Sequence, residues 1–230
     1  MKFENTSVYN IYNAILGARN PKNSWDKSDS IFKGYNGKIE NTVIGENDLK
    51  LLQSLIKAGS EHRKFMRQIG VSVIITAPLY WWKEFDTYKV GTVSNSCSTM
   101  HKLADTPITI DCFEMDDFED CKDDSNVYVS AIWIESITRL EKLRQKYNAT
   151  KDKRYWKELI RLLPESWLQK RTITMDYENL LAICSKGQRR FHKLTEWSNS
   201  FIGWARSLPY AQDLLFADEY QNDKSNNKKI

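Results

Sequence analysis

The stretch that decides the fold is residues 71–85, VSVIITAPLYWWKEF. Its first part, VSVIIT, is rich in β-branched residues and ends shortly before Pro78, which predicts a strand over 71–76. A helix over 80–89 is predicted next, because proline is favoured at the entry to a helix. Three large aromatic side chains lie on that helix: Trp81, Trp82 and Phe85. A thin surface helix does not require so many, so we expect them in a core or an interface.

Helical patterns recur on both sides of this stretch. Apolar residues spaced three and four apart predict further helices at 8–18, from Asn47 or Asp48 to Gly59, and at 127–147, 152–163, 175–186 and 190–207. The polar, turn-rich residues 19–45 form a long connection, and such connections in compact domains usually serve a function. Together the patterns predict an α+β fold that is mostly helical and has a few strands.

Composition limits the class of protein. The chain has 230 residues, of which 41% are hydrophobic, enough for one domain over 1–220 followed by a polar tail over 221–230. No apolar run approaches the roughly 20 residues that span a bilayer, and no secretory signal precedes the domain, so we expect a cytoplasmic protein. With 34 Lys+Arg against 30 Asp+Glu, the net charge of +4 does not indicate a dedicated nucleic-acid binder.

The sequence shows no metal-binding pattern. Its four cysteines lie far apart without a Cys-x-x-Cys pair, its three histidines lack ligand spacing, and the acidic run 114–125 lacks the pattern of a calcium loop. We therefore expect neither a metal site nor a disulfide framework. Cys97 and His101 are spaced as a nucleophile and its base, but two neighbours on one helical turn without a role are the favoured interpretation.

Three segments offer groups for an anionic ligand. The basic segment 61–67 (EHRKFMR) suits a phosphate or a flavin pyrophosphate, although a solvated basic face is the favoured alternative. The segment 188–193 (QRRFHK) begins the last predicted long helix, where anions are attracted, and here a solvated face is an equal alternative. The segment 92–99 (TVSNSCST) offers many hydroxyl groups, with the start of a helix as its alternative interpretation.

In their order along the chain, these segments resemble the flavin-dependent thymidylate synthases. LLQSLIKAGSEH (51–62) matches that family's helix and the His that starts its flavin-contacting segment, and 71–85 matches its strand, Ala-Pro pair and aromatic helix. The family signature RHRxxSxNxxSxRY aligns with TYKVGTVSNSCSTM (87–100). LPESWLQKRTITMDYENLLAIC (163–184) aligns with its Leu-Pro segment and following helix, and Arg190 and Trp197 repeat a spacing near its dUMP site.

The chain departs from the family pattern where charge matters most. The first Arg-His of the signature is replaced by Thr87 and Tyr88, and the second Arg by Lys89. A nucleotide-contacting Arg of the family aligns with Glu178. Each missing charge-assisted bond to a phosphate is typically worth about 1.5–3 kcal/mol.

The resemblance implies an α+β fold with a small antiparallel sheet, and reductive methylation of a dUMP-like pyrimidine nucleotide by an FAD enzyme. NADPH and methylene-tetrahydrofolate would be its co-substrates, and a homotetramer its assembly, which the aromatic surplus on 80–89 and 190–207 also suggests. For FAD, the resemblance implies a contact at His62. We expect Arg63 and Lys64 to add positive charge beside it, and Tyr88 to stack on the isoalloxazine or adenine ring. The implied nucleotide-binding residues are Lys89, Thr92, Cys97, Ser98 and Arg190.

Two alternatives remain. The first is a relative that keeps a nucleotide pocket but has lost thymidylate synthase activity, and so modifies or sequesters another nucleotide. The second, less favoured, is an interaction module for nucleic acid or protein that uses its aromatic residues and the basic patch 189–193.

Overall fold

A computed structural model of the chain describes residues 1–35, 38–115, 122, 125–217 and 219. The strands are β1 (Lys2–Tyr9), β2 (Ile31–Tyr35), β3 (Lys38–Val43), β4 (Gly70–Pro78), β5 (Val93–Ser96) and β6 (Leu168–Asp176). The helices of the first half are α1 (Ile11–Arg19), α2 (Glu46–Lys57), α3 (Leu79–Phe85) and α4 (Thr99–Lys102). The second half has α5 (Val129–Thr150), α6 (Lys153–Arg161), α7 (Tyr177–Cys184), α8 (Lys186–Arg189), a π-helix (Glu196–Phe201) that continues into α9 (Ile202–Arg206), and α10 (Ala211–Leu214).

Four strands form one sheet in the order β1-β4-β6-β5, and β2 and β3 form a separate antiparallel hairpin. The strand predicted over 71–76 is confirmed as β4, which is buried along most of its length. Helical residues far outnumber strand residues in the described chain. The predicted α+β class, mostly helical with a small antiparallel sheet, is therefore confirmed.

The chain divides into two compact units. The first, here called the α5 unit, comprises Met1–Lys2, Ile74–Thr87 and Ser94–Thr172. The second, the α7 unit, comprises Phe3–Val73, Tyr88–Val93 and Ile173–Ile230. The single domain over 1–220 stays a prediction, and the tail 221–230 lies outside the described residues.

The core of the α5 unit lies under the long helix α5. It is built from buried apolar side chains that come from several elements: Leu103, Ile108, Phe113, Ile137, Leu140 and Leu159. The aromatic residues of α3 are also buried here, and Trp81 stacks on Phe85 with ring centroids 5.0 Å apart. Trp82 donates from Nε1 to the carbonyl of Gln169 at 3.0 Å, and Arg171 lies over its ring at 4.2 Å. These rings are therefore buried in the core of the α5 unit.

The core of the α7 unit forms around a short 3-10 turn, Lys64–Gln68, against which α1 and α7 both pack. Its buried side chains include Ile15, Leu52, Phe65, Met66, Ile69, Leu180, Trp197 and Phe201. The buried Arg19 donates from Nε to Asp48 at 2.5 Å. Asp48 thus links α2 to α1. The helix expected to begin at Asn47 or Asp48 begins at Glu46, with Gly45 as its N-cap residue.

Other predicted elements need correction at their ends. Val8 belongs to β1. Helix α1 begins only after Asn10, where the backbone adopts a positive φ of 69° between the strand and the helix. The residues 19–45 include the hairpin β2–β3 and are not simply a loop. The helix predicted over 175–186 starts at Tyr177, because the two residues before it end β6.

Two long helices are close to their predicted bounds, and one is not. The helices predicted at 127–147 and 152–163 correspond to α5 and α6. The helix predicted at 190–207 begins only at the π-helix, so residues 190–194 are not helical. Among the described residues, no helix combines the length and the apolar character needed to cross a bilayer.

Candidate functional site

The start of helix α7 organises the candidate site. Asp176 is its N-cap and accepts from the backbone N–H of Asn179 at 2.9 Å, while the backbone N–H of Asp176 donates to Asn179 Oδ1 at 3.1 Å. This reciprocal capping box satisfies two backbone donors at the helix start. Burial of Asp176 raises the pKa of its carboxyl above the ordinary value. The first turn of α7 is therefore a rigid, partly desolvated platform.

Glu178 connects this platform to the predicted flavin-binding segment. Arg63 donates from Nε to both carboxylate oxygens of Glu178 at 2.9 Å. The two side chains are 25% and 18% exposed, so the pair lies at the edge of the unit and not in its core. His62 and Lys64, the neighbours of Arg63, are exposed. The charge of Arg63 is therefore already neutralised by a carboxylate of the same chain.

Asn179 connects the platform to the predicted signature segment. Its Nδ2 donates to the carbonyl of Val90 at 2.6 Å. Val90 lies in a tight turn, residues 89–92, in which the N–H of Thr92 donates to the carbonyl of Lys89 at 3.1 Å. Gly91 has a positive φ of 79°, the conformation that the third residue of a type II turn requires. We call Tyr88 together with these four residues the 88–92 turn.

The 88–92 turn is held at its other end through Tyr88. The Tyr88 hydroxyl accepts from Gln188 Nε2 at 2.5 Å and shares a hydrogen bond of 2.9 Å with His192 Nε2. His192 is only 4% exposed and stacks on Trp197, with ring centroids 4.3 Å apart. A phenol fixed by two hydrogen bonds has little freedom to turn and stack on a ligand ring.

The basic residues of 188–193 divide into structural and exposed ones. Arg189 donates from Nε to the carbonyl of Cys184 at 2.9 Å and pairs with Glu219. Arg190 is exposed, with its guanidinium 4.7 Å from the ring centre of Phe191. Arg190 follows the C-terminal end of α8, so the helix-start argument for an anion at this residue is wrong. Its exposed planar guanidinium remains suitable for a phosphate.

The remaining predicted residues are distributed over both units. Lys89 is exposed, and Thr92 lies half-buried with its hydroxyl 3.4 Å from the carbonyl of Tyr88. Cys97 and Ser98 belong to the α5 unit. Cys97 is exposed, its N–H donates to the carbonyl of Lys170 at 2.9 Å, and its own carbonyl accepts from Gln169 at 2.9 Å. His101 follows on α4.

Seven of the predicted site residues therefore lie in the α7 unit, on segments that hydrogen bonds connect to one another. The predicted residues in this unit are His62, Arg63, Lys64, Tyr88, Lys89, Thr92 and Arg190. Glu178 and Asn179 of α7, together with Gln188 and His192, make the contacts that join these segments.

Solved structures of known proteins share the fold of this chain. Flavin-dependent thymidylate synthase ThyX from Helicobacter pylori, whose structure was determined with FAD and dUMP, matches over 95% of this chain and 99% of its own, with a TM-score of 0.65 and 16% sequence identity. The chain has the fold of a flavin-dependent thymidylate synthase. The UMP/dUMP methylase PolB from Streptomyces cacaoi, bound with 5-Br dUMP, matches over 94% of this chain and 93% of its own, with a TM-score of 0.53 and 13% identity.

The thymidylate synthase resemblance predicted from scattered motifs is thus confirmed in the fold. No protein-family model matches the sequence, and no curated protein matches it. The likeness to the thymidylate synthases is therefore carried by the structure.

The sequence motifs did not reveal the residues that hold this candidate site together. Asn179 is the clearest case, although the pattern Asp176-x-x-Asn179 is a recognisable capping signal. Gln188 and His192 lie in the segment that was singled out for its charge, but their partner Tyr88 is 100 and 104 positions away. No local spacing predicts a pairing over such a separation.

Proposed function

We propose that the protein binds a pyrimidine nucleotide of the dUMP type at the start of α7. The observation that carries this proposal is the convergence of three segments on the α7 unit. Glu178 contacts the 62–64 segment through Arg63, Asn179 contacts the 88–92 turn, and Tyr88 of that turn contacts the 188–192 segment. The same three segments were assigned to flavin and nucleotide contact by their resemblance to the thymidylate synthases.

The exposed cations of these segments suit the phosphate of such a nucleotide. Lys89 and Arg190 are both exposed, and neither forms a described ion pair with a carboxylate. Arg offers a planar fork that matches two phosphate oxygens, while Lys offers a point charge. In this proposal Arg190 and Lys89 hold the phosphate, with Thr92 as a neutral donor. Cys97 and Ser98 belong to the α5 unit, and their contact with a nucleotide stays a prediction from the resemblance.

Reductive methylation with FAD is the reaction that we test for first. FAD would be held by His62, Arg63, Lys64 and Tyr88, and its reduced form would supply a hydride, with methylene-tetrahydrofolate as carbon donor and NADPH as reductant. The fit of these residues is partial, because Arg63 already binds Glu178 and the Tyr88 hydroxyl already has two partners. His62 and Lys64 are exposed and suit a pyrophosphate.

The Arg63–Glu178 pair favours a second candidate function. By the resemblance to the thymidylate synthases, Glu178 aligns with a nucleotide-contacting Arg. Glu178 also neutralises a cation proposed for flavin. The site thereby loses positive charge in two ways. A relative that binds a nucleotide without methylating it accounts for both changes.

Calorimetric titration with dUMP tests nucleotide binding. We expect saturable binding to the wild-type protein, and Arg190→Ala should weaken it by about 1.5–3 kcal/mol, the loss of one charge-assisted bond. An absence of binding up to high micromolar dUMP would contradict the proposal. Equal affinity in Arg190→Ala would remove only Arg190 from the site.

Titration with FAD separates the two candidate functions. Saturable FAD binding that weakens in His62→Ala supports the flavoenzyme, and a purified protein with flavin absorbance supports it at once. Nucleotide binding without any FAD binding supports the second candidate.

We also propose a homotetramer in the cytoplasm, on the strength of the resemblance. The aromatic argument for an assembly does not hold, because Trp81, Trp82, Phe85 and Trp197 are all buried within the chain. Light scattering at micromolar concentration tests the proposal, and a monomer would contradict it.

A further inference from the structure

We propose that Asn179 is a positioning residue of the nucleotide site, which selects the turn conformation that presents Lys89 and Thr92 to a phosphate-bearing ligand. This inference rests on the proposed function and adds a residue to it. Asn179 belongs to none of the segments chosen for their charge or hydroxyl groups. Its role follows from which atom of the turn it binds.

That atom is the carbonyl oxygen of the central peptide of the turn. In the four residues 89–92, Val90 and Gly91 are the two central residues, and the peptide between them carries the Val90 carbonyl. The two common turn types differ chiefly in the orientation of this peptide. Asn179 donates to the Val90 carbonyl at 2.6 Å and so stabilises one of the two orientations.

The conformation of Gly91 is a second, independent observation in favour of this peptide orientation. Its φ of 79° is the value that a type II turn needs, and that side chains other than glycine rarely adopt. A Cβ atom at Gly91 would also lie 3.1 Å from Asn179 Nδ2 and 3.2 Å from Oδ1. The backbone of the turn therefore approaches the Asn179 amide as closely as only glycine comfortably allows.

The amide of Asn179 is itself held in place. Its Oδ1 accepts from the backbone N–H of Asp176, and its own N–H donates to Asp176 Oδ1. An amide fixed by a capping box can hold the turn without reorganising. Tyr88 is anchored independently by Gln188 and His192, so Lys89 lies between two fixed points. Anchoring the backbone on both sides of Lys89 lowers the entropy that a ligand must remove on binding.

Asn179 combines two roles that substitutions can separate. Asn179→Asp keeps an acceptor for the Asp176 N–H and so keeps the capping box, but it has no donor for the Val90 carbonyl. Asn179→Ser removes the same donor without adding charge. Ala182 is exposed on the same helix, so Ala182→Asp is the matched control for added charge.

The experiment is calorimetric titration of these variants with dUMP, alongside thermal unfolding. We expect Asn179→Asp and Asn179→Ser to bind dUMP about three- to tenfold more weakly, the effect of one ordinary hydrogen bond. Ala182→Asp should bind as wild type does. Asn179→Asp should lower the melting temperature only by the cost of one hydrogen bond, because its helix cap is intact.

A double-mutant cycle with Lys89→Met tests whether Asn179 acts through the turn. If it does, Asn179→Ser loses most of its effect on dUMP affinity once Lys89 is absent. Additive effects, or unchanged affinity in both Asn179 variants, would overturn the inference. A loss confined to Asn179→Asp would also overturn it, since charge alone would then be the cause.

The same titrations distinguish this inference from the proposed function. A wild-type protein that does not bind dUMP disproves the proposed function, and the role of Asn179 falls with it. A wild-type protein that binds dUMP, with Asn179 variants that bind it equally well, disproves only the role of Asn179.

Discussion

Two arginine–carboxylate pairs of the α7 unit have the same chemistry and very different surroundings. Arg19 and Asp48 are 4% and 0% exposed, whereas Arg63 and Glu178 are 25% and 18% exposed. Asp48 also accepts from Ser28 and from the backbone and hydroxyl of Ser30. Burial alone would raise the pKa of Asp48, but these hydrogen bonds outweigh it and hold the pKa below its ordinary value.

The difference shows which pair a ligand can change. A buried, fully hydrogen-bonded pair cannot exchange a partner without exposing an uncompensated charge. A pair at the edge of the unit keeps part of its solvation, and its arginine can turn to a phosphate instead. Arg19–Asp48 therefore maintains the fold, and Arg63–Glu178 adjusts the charge of the candidate site.

The largest expected effect is the loss of the buried pair. Asp48→Ala should lower the free energy of unfolding by about 3–5 kcal/mol, because Arg19 is left charged and buried. Urea denaturation measures this loss. The paired change Arg19→Met with Asp48→Leu should recover part of it, since no unpaired charge remains. A loss below about 1 kcal/mol in Asp48→Ala would mean that the pair is not the main link between α1 and α2.

The second effect concerns Glu141 of the α5 unit, whose partner Arg144 is more buried than Arg63 and less buried than Arg19. Hydrogen bonds from Arg144 hold the pKa of Glu141 at about 2, against an ordinary 4.5, although partial burial opposes them. A carboxyl with a lowered pKa in the folded state stabilises that state above the unfolded pKa. This stabilisation is lost as the pH falls from about 4.5 towards about 2.

Glu141→Gln tests that contribution directly. We expect a loss of roughly 1–2 kcal/mol at pH 7 and a shallower fall in stability between pH 4.5 and 2 than in the wild type. Unfolding by urea at several pH values measures both. Parallel pH profiles of the two proteins would show that Glu141 is not responsible.

The third effect is smaller in stability and concerns the site. Glu178→Gln should cost only about 0.5–1 kcal/mol of stability, because both members of its pair retain contact with solvent. Releasing Arg63 should strengthen FAD binding by roughly tenfold, the effect of one charge-assisted bond. Titration with FAD and urea denaturation measure the two quantities. Unchanged FAD affinity would place the flavin away from Arg63.

The smallest effect is expected for a pair at the surface of α2. Lys50 and Glu46 are 69% and 79% exposed and lie four residues apart. Glu46→Gln should change the free energy of unfolding by less than about 0.5 kcal/mol, and less still in high salt. Urea denaturation in two salt concentrations measures this. A loss as large as that of Glu141→Gln would break the relation between burial and energy on which the comparison rests.

Much of the fold could be predicted from local pattern. The β-branched run 71–76 and the long helices α5 and α6 are visible because their side chains repeat with a single, clear period. β6 was missed because polar residues interrupt its buried face, which also holds Ile173 and Met175. Gln169 is only 8% exposed there, and Arg171 covers the ring of Trp82. β1 was missed because it is an edge strand with mostly exposed side chains.

The candidate site, like the fold, could be predicted from the sequence only in part. The sequence by itself determined the α+β class, the aromatic cluster after Pro78 and the segments that supply cations and hydroxyl groups, since each depends on residue type and short spacing. Only the tertiary structure decided how those groups are used. Arg63 is neutralised by a residue 115 positions away, and the Val90 carbonyl is held by one 89 positions away. Partners at such separations meet only when the chain folds, so no local pattern contains them.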